Sequence, residues 1–155
     1  MTRLQRTQTV LGSSIALACL AAAPSTVQAG APNARIEVEV PRTRSSKGSL
    51  RCALFATHRG FPSRSSLAVQ AHKRPIASQR GRCVFRGVKP GTYAVSVLHD
   101  ENDNGRIDTS FIGKPTEGYG VSYNHTYALR GPKWNESKFS VGPGATMKLR
   151  VRLRY

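Results

Sequence analysis

Acidic residues are scarce in this 155-residue chain, and their scarcity excludes several kinds of site. Only 8 Asp and Glu residues stand against 24 Lys and Arg, which gives a formal net charge of +16. Four of the 8 lie together in the sequence DENDNGRID, between positions 100 and 108. Outside that stretch no pair of carboxylates is placed for general acid–base catalysis, so most hydrolytic mechanisms that use two carboxylates are excluded.

The chain also lacks the short motifs that mark common catalytic and metal sites. Its 4 histidines are scattered without zinc spacing, and no glycine-rich phosphate loop is present. Ser122 lacks the flanking glycines of a nucleophile elbow. His99 precedes Asp100, but a histidine at a strand end is more often a packing or capping residue than a general base. These absences favour a protein that is not an enzyme.

Long apolar runs are rare as well, and the one near the N-terminus predicts an export signal. Basic residues precede the run Val10–Ala23, and the small residues before and at Ala29 suit a signal peptidase. The run is shorter than the ~20 residues of a spanning helix. A signal peptide over residues 1–29 is therefore favoured over a membrane anchor or, at Cys19, a lipoprotein. We expect an exported protein, periplasmic or extracellular, with one domain over residues 30–155 and no transmembrane segment in it.

The remaining charge predicts an attraction to anionic partners. Without the two leader arginines, 22 basic residues face 8 acidic ones, a net charge of +14. Anionic envelope polymers, glycans or lipids are suitable partners for such a surface, and Arg150, Arg152 and Arg154 are expected on one exposed strand face. The alternative is that these arginines only keep a strand soluble. Nucleic acid is not favoured, because aromatic residues do not interleave with them.

Apolar and polar residues alternate with a period of two, which is typical of strands with one face in a core. The segments RIEVEV and MKLRVRLRY show this alternation most clearly. Further predicted strands, separated by Gly, Pro and Asn turns, are Ser49–Thr57, Arg82–Val88, Thr92–His99 and Ser137–Val141. Roughly seven short strands predict an all-β, antiparallel sandwich. Residues 59–80 resist assignment and hold either a short helix near 66–72 or a long loop.

Two cysteines, Cys52 and Cys83, lie in the expected mature domain, each near the start of an apolar strand-like run. An even number of cysteines in an exported protein favours a disulfide over two buried thiols. The bond would close a loop of about 31 residues and contribute roughly 3–4 kcal/mol.

The acidic stretch matches a calcium-loop pattern, in which oxygen ligands alternate and a glycine at the sixth position permits a sharp turn. The predicted ligands are Asp100, Asn102, Asn104, the carbonyl of Arg106, and Asp108. An EF-hand has a bidentate Glu at position 12, where this chain has Phe111, so Glu117 is the candidate that completes the site. We predict structural calcium here. The alternative is an Asx-rich turn held by its own hydrogen bonds.

An aromatic and glycine-rich stretch, residues 113–134, follows the acidic loop and is a candidate binding surface for a glycan or a partner protein. Its candidate binding residues are Tyr119, Ser122, Asn124 and Trp134. Tyr123 and Tyr127 add to its aromatic character. The alternative is that these aromatic residues cover the open end of a small core.

Short segments spread over nearly the whole mature chain resemble one family. They are Ala53-Leu54-Phe55, Gly60-Phe61-Pro62, Pro90-Gly91-Thr92-Tyr93, His99 to Asp108, Gly113-Lys114-Pro115, Glu117-Gly118-Tyr119-Gly120 and Leu153-Arg154-Tyr155. This set is similar to domain of unknown function family 2141, a family of exported bacterial proteins. The resemblance implies an immunoglobulin-like or transthyretin-like sandwich and implies no activity. Tyr123 stands before Asn124 where the family often has paired Asn, which puts a ligand role for Asn124 in doubt.

The sequence therefore predicts a non-catalytic binding or envelope-associated module, stiffened by calcium and a disulfide, with a basic surface for an anionic envelope polymer. One alternative is an enzyme acting on an envelope glycan or lipid, with its metal bound by Asp100, Asp108 and Glu117. The other is an accessory protein that docks a partner through residues 113–134.

Overall fold

A computed structural model describes residues 32–125 and 130–155 of the chain. The predicted signal peptide, Cys19 and Tyr127 lie outside these residues. Within them are eight strands: β1 (Ala34–Val40), β2 (Ser49–Phe55), β3 (Gln70–Pro75), β4 (Gly81–Val88), β5 (Gly91–Asp100), β6 (Gly118–Val121), β7 (Phe139–Val141) and β8 (Thr146–Arg150). Helical structure in these described ranges is limited to α1 (Trp134–Ser137) and two 3₁₀ turns, Ser65–Leu67 and Ser122–Asn124.

The strands form two sheets that share one core. The smaller sheet has the order β4-β1-β8, and the larger has the order β3-β2-β5-β6 with β7 also pairing with β5. The all-β sandwich that the sequence predicts is confirmed, with eight strands in place of about seven. One pair differs from the antiparallel expectation, because β1 and β8 run parallel. The chain crosses from β7 in the larger sheet to β8 in the smaller one and enters beside β1 in the same direction.

The alternating pattern of β1 predicts its buried face correctly. Ile36, Val38 and Val40 are fully buried and pack in one cluster with inward side chains of β2, β4 and β5. Cys52 of β2 and Cys83 of β4 form the predicted disulfide, with Cα atoms 6.4 Å apart. The bond therefore joins the larger sheet to the smaller one across the core.

Residues 59–80 are neither the short helix nor the simple loop that the sequence suggests. Only Ser65–Leu67 forms a 3₁₀ turn, and Gln70–Pro75 is an edge strand, β3, paired with β2. Its sequence QAHKRP lacks apolar alternation because both of its faces are largely exposed or half-buried. No helix in the described part of the chain is long and apolar enough to cross a membrane.

The segment MKLRVRLRY is one strand by its pattern, but β8 ends at Arg150 and the chain then changes sheets. We call residues 151–155 the closing segment. Arg154 and Tyr119 of β6 exchange two backbone hydrogen bonds of 2.8 Å. The Asn124 side chain accepts from the backbone N–H of Arg152 at 2.6 Å and donates to the Arg150 carbonyl at 3.0 Å, which holds the chain at its crossing point.

The closing segment covers the inner side of β6, and two glycines make room for it. A Cβ atom on Gly118 would stand 2.4 Å from the Tyr155 ring, and one on Gly120 would stand 2.6 Å from the Arg152 carbonyl oxygen. Backbone cannot move aside as a flexible side chain can. The glycines of the sequence EGYG are therefore required by packing at this end of the sandwich.

We expect Gly120→Ala to lower the free energy of unfolding by about 1–3 kcal/mol, because the added methyl group meets backbone. Gly142→Ala is the matched control, since no atom of the described residues, its chain neighbours aside, lies within 4 Å of its added Cβ. Urea denaturation of both variants beside the parent protein checks this. Equal losses in the two variants would contradict the close approach at Gly120.

Candidate functional site

The acidic loop, residues 100–108, begins where β5 ends, and Asp100 organises it. The Asp100 side chain is fully buried. Its carboxylate accepts hydrogen bonds from the backbone N–H groups of Asn104 at 3.0 Å and Gly105 at 2.8 Å. Its Oδ2 atom also forms an ion pair with Nε of Arg51 in the neighbouring strand β2. The cation that neutralises the innermost carboxylate is therefore supplied by the chain itself.

The other polar residues of the acidic loop bond mainly to each other. The amide groups of Asn102 and Asn104 donate to the two carboxylate oxygens of Asp108 at 2.6 and 2.8 Å. Their oxygens accept backbone N–H groups of Asn104 and Arg106 at 3.1 and 3.0 Å. Gly105 has the positive φ of +87° that such a turn needs. These are the bonds of an Asx-rich turn.

Glu117 lies where the sequence predicts it, beside the acidic loop. It is buried, and its two carboxylate oxygens accept the backbone N–H groups of Glu101 at 2.7 Å and Asp108 at 3.1 Å. Through these bonds Glu117 joins the first and last turns of the loop. The structure thus brings together the side chains of Asp100, Asn102, Asn104, Asp108 and Glu117, and Arg106, the predicted carbonyl ligand, lies in the same loop with its N–H bonded to Asn104.

The donor set suits calcium in chemical type, since carboxylate and amide oxygens are its usual ligands. Its present contacts compete with an ion, because Asp100 faces the Arg51 cation and the amides of Asn102 and Asn104 donate to Asp108. Within residues 32–125 and 130–155, no group of three or more His, Cys, Asp or Glu is arranged to hold a metal ion. Calcium stays a prediction, and the hydrogen bonds support the Asx-rich turn that was its alternative.

Glu101 faces away from the acidic loop and joins a second network. Its carboxylate binds Arg44 at 2.5 and 3.2 Å and accepts from the Ser45 hydroxyl at 3.1 Å. The pKa of Glu101 lies below its ordinary value of 4.5, mainly because the carboxylate accepts a hydrogen bond from Arg44. The pair links the connection between β1 and β2 to the start of the acidic loop.

His99 is fully buried in the same network, and both of its ring nitrogens have structural partners. Nε2 lies 2.9 Å from the Lys47 carbonyl, which can only accept, so Nε2 donates. Nδ1 lies 2.7 Å from the Tyr155 hydroxyl, whose oxygen accepts from the Arg44 backbone N–H at 2.8 Å. Burial is the main cause that raises the pKa of Tyr155, and the neutral hydroxyl has a proton to donate to His99.

A groove crosses the outer face of the larger sheet beside the acidic loop. Two neighbouring cross-strand rows form its floor and one side. The first row, of small or short side chains, is Ala71, Ala53, Ser96 and Val121. The second row, of larger side chains, is Lys73, Arg51, Leu98 and Tyr119.

Small residues in one row between larger neighbours leave a cavity of about 340 Å³. Pro62 and Ser65 line it from the connection between β2 and β3, and Arg106 and Ile107 line it from the acidic loop. Its volume falls at the lower end of the range of roughly 300–1,000 Å³ for small-molecule sites.

Three cations, Arg51, Lys73 and Arg106, line the groove. Lys73 pairs with the partly exposed Asp103 at 3.0 Å, and Arg51 pairs with Asp100 through Nε alone. Among the described residues, the terminal nitrogens of Arg51 and the guanidinium of Arg106 donate no hydrogen bond to the protein, although the charge of Arg51 helps to lower the pKa of Asp103. The Arg51 side chain is 33% exposed. The groove therefore combines an apolar floor with hydrogen-bond donors at its lip.

Of the predicted binding residues, only Tyr119 lines this groove. Ser122 is buried, accepts from the Val95 backbone N–H at 3.1 Å and donates to the Ser137 carbonyl at 2.5 Å. Asn124 holds the closing segment, as described above. These contacts give Ser122 and Asn124 structural roles.

Trp134 and the three C-terminal arginines lie elsewhere. Trp134 packs edge-on against Phe61 at 6.0 Å between ring centroids, and Phe61 packs on Phe55 at 5.5 Å. The exposed arginines of β8 and the closing segment are Arg150, Arg152 and Arg154. The sequence predicts them on one strand face, but β8 ends at Arg150, and Arg152 and Arg154 lie in the closing segment, where the chain crosses to the larger sheet.

The sequence analysis missed the residues that build the groove. Arg51, Lys73 and the small residues Ala53, Ala71 and Ser96 carry no motif, and β3 has no strand pattern. One signal was available: four clustered acids need a cation, and a basic residue within a neighbouring strand can supply it.

A family described as an uncharacterized protein conserved in bacteria, DUF2141, matches residues 38–148. No curated protein and no solved structure matched the chain. The matched span includes every residue that lines the groove and the whole acidic loop.

We expect Asp100→Ala to lower the free energy of unfolding by about 3 kcal/mol, since it leaves Arg51 and two backbone N–H groups without their acceptor. Asp103→Asn is the matched control, because this carboxylate is 43% exposed and Asn tolerates the positive φ of +61° at this position. Its loss should cost at most about 1 kcal/mol. Urea denaturation at neutral pH compares them, and a similar loss in both variants would refute the organising role of Asp100.

Proposed function

The chain belongs to the DUF2141 family of proteins conserved in bacteria, and we propose that it is a non-catalytic binding module for a small amphiphile with one anionic group. The observation that carries this proposal is the pairing of two rows on one sheet face, one small and apolar and one cationic. An exported location is part of the proposal, because the disulfide between Cys52 and Cys83 suits an oxidising compartment.

The apolar half of the ligand is supported by the floor and walls of the groove. Ala53 and Ala71 form the floor, and Leu98, Tyr119 and Ile107 supply larger apolar surfaces around it. Burial of hydrocarbon contributes about 0.8 kcal/mol per methylene. The cavity volume suits one slender chain and leaves little room for a bulky ring system.

The anionic group is supported by the arrangement of charge at the lip. Arg51 and Lys73 are paired with Asp100 and Asp103, and Arg106 is the groove-lining cation without an ion pair among the described residues. The Arg51 guanidinium lies against Gly105, whose hypothetical Cβ would stand 3.5 Å from it. An arginine fixed by its own ion pair loses less freedom when it binds a phosphate or carboxylate.

The acidic residues nearest the groove take part in structural contacts, which favours binding over catalysis. Asp100 and Asp103 are both engaged by cations, and His99 is used inside the core. The basic character of the chain attracts anionic ligands from a distance. An anionic lipid or an acylated, phosphorylated envelope component has the required chemistry.

Octyl phosphate and octyl glucoside test the proposal, because they share a tail and differ in charge. By titration calorimetry below micelle concentrations, we expect octyl phosphate to bind at least about tenfold more tightly, since hydrogen bonds to charged groups contribute more than neutral ones. Ala71→Leu should abolish binding of both by filling the groove.

Ala56→Leu is the matched control, because this exposed alanine does not line the groove. Arg106→Gln should remove most of the preference for phosphate while leaving octyl glucoside unchanged. Equal affinity for both amphiphiles, or binding that is retained in Ala71→Leu, would contradict the proposal.

The acidic loop has a role in this proposal that needs no metal, which is to fix Arg51 at the groove. We therefore expect the melting temperature to be the same in EDTA and in millimolar calcium. In Arg51→Gln, which frees Asp100, calcium should stabilise more than in the parent protein, because a ligand that binds only the folded state raises its stability. A calcium-dependent rise in the parent protein that Asp108→Ala lacks would instead establish the loop as a calcium site.

A further inference from the structure

Two bulky apolar residues project from a turn that belongs to neither the groove nor the hydrophobic core. Phe111 and Ile112 are 101% and 71% exposed. The turn is closed by hydrogen bonds of 2.8 Å from the Ser110 N–H to the Lys114 carbonyl and from the Gly113 N–H to the Ser110 carbonyl. Gly113 has the positive φ of +76° that the turn requires. We call Phe111 and Ile112 the hydrophobic tip.

The hydrophobic tip stands on a base that is tied to the rest of the fold. Thr109 and Pro115 form a bridge, and the Thr116 N–H donates to the Asp108 carbonyl at 2.9 Å. Nη2 of Arg44 donates to the Thr116 carbonyl at 3.0 Å. The exposure of the two side chains is therefore a property of an ordered turn.

We propose that the hydrophobic tip inserts into the interface of an anionic lipid bilayer. Lys114 lies in the same turn, and cations beside inserted apolar side chains are drawn to the negative surface of such a membrane. The positive charge of the whole chain acts in the same direction. The carboxylates at the base, Asp108 and Glu117, keep their negative charge because their hydrogen-bond donors are neutral amide groups, so the attraction depends on Lys114 and on the positive charge of the chain as a whole.

The shape of the tip favours a bilayer over a partner protein. Two adjacent side chains on a projecting turn offer far less surface than the about 800 Å² that each partner contributes to a stable protein interface. A bilayer can surround both side chains completely without any wider matching surface. The inference does not depend on the proposed function of the groove.

The position of the tip gives insertion a consequence for the groove. Arg106 and Ile107 line the groove and precede the tip by only a few residues. A membrane that holds Phe111 and Ile112 therefore lies close to that end of the groove.

Flotation with vesicles of equal parts phosphatidylglycerol and phosphatidylcholine tests this. We expect the parent protein to float and the double variant Phe111→Ser, Ile112→Ser to bind about tenfold more weakly or worse, because two apolar side chains are lost. The double variant Leu67→Ser, Val69→Ser is the matched control, since it removes two exposed apolar residues from another loop. It should float like the parent, as should Ala71→Leu with its filled groove.

Insertion itself is read from a tryptophan at the tip. The parent chain has a single tryptophan, Trp134, which packs on Phe61 and should not be quenched by brominated lipid. Phe111→Trp should show additional quenching in brominated phosphatidylglycerol vesicles. A parent protein that does not float, flotation that survives loss of both tip residues, or Phe111→Trp fluorescence that brominated lipid leaves unquenched would each overturn the proposal.

Discussion

The ion pair between Arg51 and Asp100 is the interaction on which both the acidic loop and the groove depend. A buried carboxylate is costly unless a cation and hydrogen-bond donors compensate it, and Asp100 receives both. Because its carboxylate accepts hydrogen bonds from the backbone of Asn104 and Gly105, the acidic loop folds back onto the end of β5. Its ionic role fixes the Arg51 guanidinium at the lip of the groove. One side chain thus sets the shape of a loop and the chemistry of a surface.

A second network connects the two sheets at the same end of the sandwich. Arg44, from the connection between β1 and β2, reaches Glu101 in the acidic loop and stacks over the Tyr155 ring at 4.5 Å. Tyr155 in turn bonds to His99 inside the larger sheet. The acidic loop is therefore braced from both sides, which explains why the turn that carries Phe111 and Ile112 is an ordered platform.

The sequence predicts those elements whose pattern lies within one segment of the chain. It does not predict those whose structure depends on which strands pair with each other. Alternation in RIEVEV and the clustering of acids can be read along the chain, and so can the even number of cysteines. The edge strand β3 has no buried face to impose a pattern, and β6 has two glycines where apolar residues would reveal a strand. The groove was missed because its rows come from four strands, and Arg51 lies 49 residues before Asp100. The register of two paired strands cannot be predicted from the sequence of either strand alone.

The closing segment also bears on how the fold assembles in time. Tyr155 meets Arg44 across 111 residues of chain and His99 across 56. Contacts between such distant parts of a sequence slow the folding of β proteins, because a long loop must close before they form. Until residues 151–155 dock, the inner face of β6 is uncovered and His99 lacks a partner for Nδ1. A chain that lacks residues 151–155 is therefore expected to leave the glycines of β6 uncovered and to lose the contacts that join Arg44 and His99 through Tyr155.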